Sequence, residues 1–233
     1  MAMKNGKKLG LFVLAIVALM VGLVLFYGDR VVISFYGGGL VFNHSTSMRE
    51  HRVSVGDTGF CVAKSYFVFS NSLHPGSNVG LILAAELEGL EPWNVYLERI
   101  DFYENKKNLS KKEVKEVSRK RIDMEIGYLR DKGEVVDMLW RERMKGAKES
   151  KEGGYVRLVS DSPLAANYEY YLMPEGRADY SHVIGCNQGA RCRLESRYSD
   201  AIWYKVDFDE SVLEIVGSIE SRVREFMEHS ICD

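Results

Sequence analysis

Apolar and polar positions divide the chain into one long apolar run, a series of short β-rich segments and two amphipathic stretches. Residues 11–27 (LFVLAIVALMVGLVLFY) carry no charge and follow the basic pair Lys7-Lys8. As a helix rising about 1.5 Å per residue, the run covers roughly 26 Å, close to the ~30 Å hydrocarbon core of a bilayer. Lys8 and Arg30 stand where their side chains reach the two interfaces. A cleaved signal peptide has a shorter apolar core and small residues at its cleavage site; this run ends Leu25-Phe26-Tyr27-Gly28-Asp29-Arg30. The pattern therefore predicts an uncleaved transmembrane signal anchor over residues 11–27, behind a basic cytoplasmic tail at 1–10. Lys4, Lys7 and Lys8 before the span, against Asp29 and Arg30 after it, export residues 28–233.

Past the anchor, residues 31–41 are β-rich but interrupted by Gly37-Gly38-Gly39. Residues 60–69, 79–86 and 93–103 read as strands, separated by turn formers such as Asn71-Ser72, Pro75-Gly76 and Glu91-Pro92. Ser110-Lys111-Lys112-Glu113 is a capping-box pattern that opens a helix to about residue 131. Val114, Val117, Ile122, Ile126 and Leu129 form its apolar face. A strand is expected around 135–143, followed by the polar stretch 145–154 (KGAKESKEGG), which reads as a loop and as the place for a subdomain break. Residues 155–159, 168–173, 178–186, 192–198 and 201–208 predict five strands whose short connections imply antiparallel hairpins. A last amphipathic helix runs from Ser211 to about Glu228, opened by Ser211 and Glu214. Its stripe is Val212, Ile215, Val216, Ile219, Val223 and Phe226. The expected fold is α+β: an antiparallel β-hairpin sheet or sheets with two amphipathic helices, preceded by one N-terminal transmembrane helix.

Charge narrows the partners. The exported part holds 28 basic against 33 acidic groups, which argues against nucleic acid or anionic lipid as the main ligand. The four cysteines, Cys61, Cys186, Cys192 and Cys232, all follow the anchor, and an even count in an exported domain favours disulfides. Cys186 and Cys192 close a short loop around Gly189, making them the preferred pair; Cys61–Cys232 follows by elimination. A zinc site is the alternative, but the spacing is wide and no second Cys-x-x-Cys or paired His supports it.

The motifs of nucleophilic, phosphate-binding and metallopeptidase chemistry are absent from the sequence, and neither a cofactor nor a metal is expected. His44, His51, His74, His182 and His229 lack ligand spacing and read as surface or turn residues. Asp207-Phe208-Asp209 could hold a metal, yet Asp209 at a helix start is more simply a favourable first-turn charge. The remaining signal is aromatic density. Tyr168, Tyr170 and Tyr180 are the candidate partner-binding residues, with Tyr168 and Tyr170 expected on one strand face and Tyr171 on the other. The alternative is that these rings build the core.

Two stretches carry a resemblance. Residues 58–68 (TGFCVAKSYFV) resemble the Cys-Val-Gly-Arg-Tyr-Leu-Ile-Asp-Val-Pro segment of immunity proteins that neutralise type VI secretion lipase effectors. The close pair Cys186 and Cys192, Trp203-Tyr204 and the last amphipathic helix are similar to related periplasmic proteins encoded beside such effectors. Ala63 and Lys64 replace the Gly-Arg, and no Asp-Pro follows. The resemblance implies a protein facing the Gram-negative periplasm that binds a toxin and blocks its active site; together with the anchor this gives a single-pass inner-membrane immunity protein, a non-enzyme whose toxin is encoded by an adjacent gene. It carries over no toxin-contact residue. Two other readings stand beside it: a non-catalytic bitopic subunit of an envelope or secretion complex, and an exported enzyme using Asp207 and Asp209.

Overall fold

The computed structural model describes residues 42–69, 80–129, 134–176 and 182–232. The expected anchor at 11–27 and the strand at 31–41 lie outside these, as do His74 and Tyr180. Residues 43–233 form one compact unit. No helix among the described residues is long and apolar enough to cross a membrane.

A two-stranded hairpin, β1 (Glu50–Val55) and β2 (Thr58–Ala63), precedes the main sheet. That sheet has eight antiparallel strands: β3 (Leu81–Glu86), β4 (Arg121–Tyr128), β5 (Lys148–Glu152), β6 (Tyr155–Val159), β7 (Tyr170–Pro174), β8 (His182–Cys186), β9 (Arg191–Arg197) and β10 (Ile202–Asp209). Their spatial order is β3-β4-β10-β9-β8-β7-β6-β5. Helices α1 (Trp93–Arg99), α2 (Phe102–Asn105) and α3 (Lys111–Arg119) lie between β3 and β4; α4 (Glu134–Met144) lies between β4 and β5, and α5 (Val216–Ser230) ends the chain. The class is α+β, as the hairpin pattern implies, with more helices than the two expected.

One sheet face is apolar from β3 to β7. Leu83, Met124, Val206, Leu194, Ile184 and Leu172 point into the main core with their strand neighbours at period two. The β1–β2 hairpin contributes Val53, Val55, Phe60 and Val62, and α5 contributes Val216, Ile219, Val223 and Met227. Burying each such side chain is worth about 1.5–3 kcal/mol, so this face is the main stabilising layer. The second face is covered at its two ends. Trp93, Tyr96, Leu97 and Phe102 of α1 and α2 pack on Ala84 of β3; Trp140 and Met144 of α4 pack on Leu158, Tyr171, Met173 and Val183.

Several expectations need correction. Residues 93–103 form α1 and α2, because Trp93, Tyr96, Leu97 and Ile100 recur at helical spacing and Pro92 sits just before the first turn. Ser110 and Glu113 do form a capping box, with Glu113 N–H donating to Ser110 Oγ at 3.3 Å and Ser110 N–H to Glu113 Oε2 at 2.7 Å. The helix they open stops at Arg119, however, and Ile122, Met124 and Ile126 then alternate inward as β4. Residues 135–143 are not a strand but most of α4, whose Val136, Trp140 and Met144 recur every fourth residue. Residues 145–154 contain β5, and the sheet runs through them unbroken. At the carboxy end, Asp209 rather than Ser211 caps the turn: it accepts from Ser211 N–H at 3.1 Å, residues 210–215 are 3-10, and the α-helix begins at Val216.

Candidate partner-binding face

Between the two helical covers, the second face of the sheet is left open over β4, β10 and β9. The positions there alternate with core residues: Arg121, Asp123 and Glu125 on β4, Trp203, Lys205 and Asp207 on β10, and Arg191, Arg193, Glu195 and Arg197 on β9. Cross-strand pairing sets Asp207 opposite Arg193 and Lys205 opposite both Glu125 and Glu195, while the like charges Asp207 and Asp123, also opposite one another, are bridged by arginines. Arg193 donates both its Nε and an Nη to the two oxygens of Asp207 at 2.7 Å. Arg191 donates to Asp123 Oδ2 at 3.1 Å and to the Asp207 carbonyl at 2.7 Å. Arg121 grips the other oxygen of Asp123, with its Nε at 2.8 Å. The bond to Asp207 keeps the Arg193 guanidinium firmly charged by raising its pKa. This ladder of ion pairs holds long side chains in fixed geometry.

Against the ladder, α4 forms one wall of a groove. One cavity of about 210 Å³ lies between Leu129, Val136, Trp140, Trp203 and Lys205. A second, about 260 Å³, shares Val136, Trp140, Glu195 and Lys205 with it and continues to Leu139, Tyr168 and Arg193. Cations lie over both tryptophans: Lys205 Nζ is 4.3 Å from the Trp203 ring centre, and Arg143 Cζ 4.3 Å from that of Trp140. Arg197 pairs with Asp137 of α4 at 2.7 Å across the groove. α4 also leaves Met138 and the groove residue Leu139 largely exposed, at 56% and 48%. Rigid aromatics, fixed charges and an apolar slot are the ingredients of a protein-binding surface.

The aromatic candidates separate. Tyr168 lines the groove, half-buried, its ring lying over Gly185 so closely that a Cβ there would come within 2.5 Å. It packs edge-on against Tyr171 at 5.6 Å, so these two share a face, contrary to the alternation expected. β7 begins only at Tyr170, and Tyr168 belongs to the preceding turn. Tyr170 is buried on the opposite, main-core face, where burial and the hydrogen bond to Glu210 at 2.6 Å raise its pKa. Tyr171 donates to the Ala165 carbonyl at 2.9 Å, and burial pushes it up to about 12. Trp203, Trp140 and Lys205 escape a sequence reading as site residues; the alternating charge of β9 and β10 is the signal that could have found them.

The cysteines form two disulfides, Cys186–Cys192 joining the ends of β8 and β9, and Cys61–Cys232 joining β2 to the carboxy terminus. Disulfides persist in oxidising compartments, which points to an extracytoplasmic location.

A catalytic reading finds little support in the geometry. His182, expected on the surface or in a turn, is buried on β8, and its Nδ1 lies 3.2 Å from Glu220 Oε1. Ser196 Oγ donates to the same oxygen at 3.2 Å and Tyr204 OH at 3.1 Å, while Arg224 Nε lies at 3.3 Å. A nucleophile needs a base beside it; here hydroxyl and imidazole both converge on the carboxylate, which is a structural polar cluster beneath α5. Burial works to raise the Glu220 pKa, but the His182 bond and charge, with Tyr204 and Arg224, bring it down to about 2. Asp207 is engaged by Arg193 and Asp209 by the Ser211 turn. No group of three or more His, Cys, Asp or Glu among the described residues is arranged to hold a metal ion.

No family model matches the chain, and no curated protein matches it. Its structure is similar to that of Smlt3025, an immunity protein of the Stenotrophomonas maltophilia type IV secretion system: the TM-score is 0.55 at 12% identity, covering 86% of this chain and 100% of that one. A weaker likeness is to FrpD, an iron-regulated outer membrane lipoprotein of Neisseria meningitidis, with TM-score 0.35 and 10% identity over 84% of this chain and 97% of that one. The likeness to Smlt3025 is one of fold.

Proposed function

We propose that this chain is an extracytoplasmic immunity protein that binds a secretion-system toxin and blocks it sterically, without chemistry of its own. The observation that carries the reading is the open groove between α4 and the charged face of β9 and β10, presented on a fold shared with an immunity protein. Specific inhibition asks for a rigid, complementary surface. Trp203 and the exposed Leu139 provide apolar contact area, and the Arg193–Asp207 pair a fixed polar frame, with the buried Trp140 holding the wall in place. The resemblance of residues 58–68 to lipase-effector immunity proteins adds the finer form: the toxin is a phospholipase effector of a type VI system, encoded next door. The apolar run at 11–27 supports tethering at the inner membrane, where such a toxin would act.

The test is protection. Cells exporting the neighbouring gene's product to the periplasm should survive when this chain is co-expressed. Lys205→Gln and Leu139→Asp, each in the groove and partly or largely exposed, should weaken toxin binding at least tenfold with little change in melting temperature. Wild-type protection undiminished in both variants would place the contact elsewhere, and failure to bind any adjacent toxin would end the immunity reading.

A further inference from the structure

The sheet has two edges, and they are finished differently. At the β3 edge, Phe67 bridges to Leu83, Val68 N–H donates to the Ile82 carbonyl at 3.0 Å and Pro92 bridges to Ala85, so that edge is covered. At the other edge, β5 pairs with β6 on one side, and no strand among the described residues pairs with it on the other. All five β5 residues, Lys148-Glu149-Ser150-Lys151-Glu152, are exposed. Charges on an edge strand ordinarily discourage pairing. In β5 their order favours one pairing.

Laid antiparallel against its own copy about Ser150, β5 sets Lys148 opposite Glu152, Glu149 opposite Lys151 and Ser150 opposite Ser150. Every charged position then faces its opposite, which stabilises cross-strand pairs. Sliding the register by one residue puts Lys148 against Lys151 or Glu149 against Glu152; sliding it by two puts Glu149 or Lys151 against its own copy. The alignment is therefore selected against each neighbouring register.

The backbone agrees with the same axis. Glu152 and Tyr155 close the hairpin over Gly153 and Gly154, both at positive φ (57° and 83°), the two-residue turn that closes on a hydrogen-bonded pair. Bonding alternates along an antiparallel strand, so Lys148, Ser150 and Glu152 bond toward β6, while Glu149 and Lys151 direct their N–H and C=O groups to the open edge. A two-fold axis through Ser150 brings those groups together as four reciprocal backbone hydrogen bonds, with Ser150 at the non-hydrogen-bonded pair between them. Lys151 pairs within its own chain with Glu175, and Glu152 with Arg157 at 3.2 Å. These are exposed pairs of small individual worth, and they can yield to or share with the new partners.

We propose that β5 is a homodimerisation edge: two copies of this chain join antiparallel at Ser150 into one continuous sheet. Isologous pairing of one patch with itself is the commonest way homo-oligomers form two-fold dimers. It leaves the groove beside α4 to other partners, so it stands independently of the immunity reading.

The full chain in detergent is tested by mass measurement across a concentration series, together with oxidative cross-linking of Ser150→Cys, Glu149→Cys and Lys151→Cys. At a non-hydrogen-bonded pair the two Cα atoms lie about 4.5 Å apart, within disulfide reach. The copies of position 149, or of 151, lie roughly 8 Å apart in this register, outside it. Ser150→Cys should therefore cross-link roughly tenfold faster than either neighbour. Glu149→Lys should weaken dimerisation about tenfold by facing Lys151 twice, and Glu149→Lys with Lys151→Glu should restore it. A monomer at all concentrations, a dimer that Glu149→Lys leaves unchanged, or equal cross-linking at the three positions overturns the proposal.

Discussion

Glu220 shows how much one side chain organises here. Its Oε1 lies within 3.3 Å of donors from His182, Ser196, Tyr204 and Arg224, which belong to β8, β9, β10 and α5 itself. The carboxylate thus fixes α5 to three strands through polar contacts at the margin of an apolar core. Its pKa falls from the ordinary 4.5 to about 2, because the favourable contacts of the charged form outweigh the burial that opposes it. A depressed carboxylate contributes stability that is complete above about pH 4.5 and is lost as the pH falls toward 2. At about 1.4 kcal/mol per unit, the contribution is on the order of 3–4 kcal/mol before screening by solvent reduces it. Urea unfolding should accordingly show wild-type stability falling between pH 4.5 and 2, with that fall reduced in Glu220→Gln. The variant should also be less stable at pH 7, since His182 and Arg224 lose their common anion. Parallel pH profiles for the two proteins would remove Glu220 from this role.

Among the elements, α4 bears most directly on the groove, because it builds one wall while covering the small core beneath. Trp140 is 4% exposed and meets Tyr171 edge-on at 5.4 Å. Trp140→Ala should cost about 3–5 kcal/mol in chemical denaturation, as large-to-small changes in packed cores do, and should remove the groove wall on which the proposed binding depends. A loss under about 1 kcal/mol would mean the helix holds to the sheet by other contacts. That same helix explains why the candidate site is only partly legible in the sequence. Residues 135–143 carry Val135 and Val136 with polar neighbours, which suits a strand locally; the helix rests on Val136, Trp140 and Met144 meeting a sheet whose strands are far off in sequence. Reading α4 as a strand removes the wall of the groove and with it Trp140 and Trp203. Ile122 and Ile126 satisfy helical and extended spacing alike, and Met124 between them decides for β4. β5 holds no apolar residue, so no periodicity can mark it, and only the glycine turn and its partner β6 define it. By contrast β9, β10 and α5 are legible because one face of each is buried along its length.

At the scale of the whole molecule, the two disulfides do different work. Cys186–Cys192 spans 6 residues and closes a turn that the sheet already holds; Cys61–Cys232 spans 171 and joins the first hairpin to the end of the last helix. The junction is reinforced by the bridge between Phe60 and Ile231 and by Cys232 N–H donating to the Gly59 carbonyl at 3.0 Å. Both layers over the main core, the β1–β2 hairpin and α5, are therefore fastened to each other as well as to the sheet. Restricting the unfolded chain scales with the logarithm of loop length, giving about 2 kcal/mol for the short loop and about 5 kcal/mol for the long one. Cys61→Ser with Cys232→Ser should then lower stability about twice as much as Cys186→Ser with Cys192→Ser, measured by denaturation under oxidising conditions. Under reducing conditions wild type and both variants should converge, because the constraint is gone from all three. Equal losses from the two pairs would mean local packing outweighs loop closure, and differences that survive reduction would mean the thiols act through packing. The two contributions together are comparable to the 5–15 kcal/mol that holds an ordinary domain folded. Reduction of both disulfides should therefore remove a large share of the stability of the fold, which suits a chain that works in an oxidising compartment.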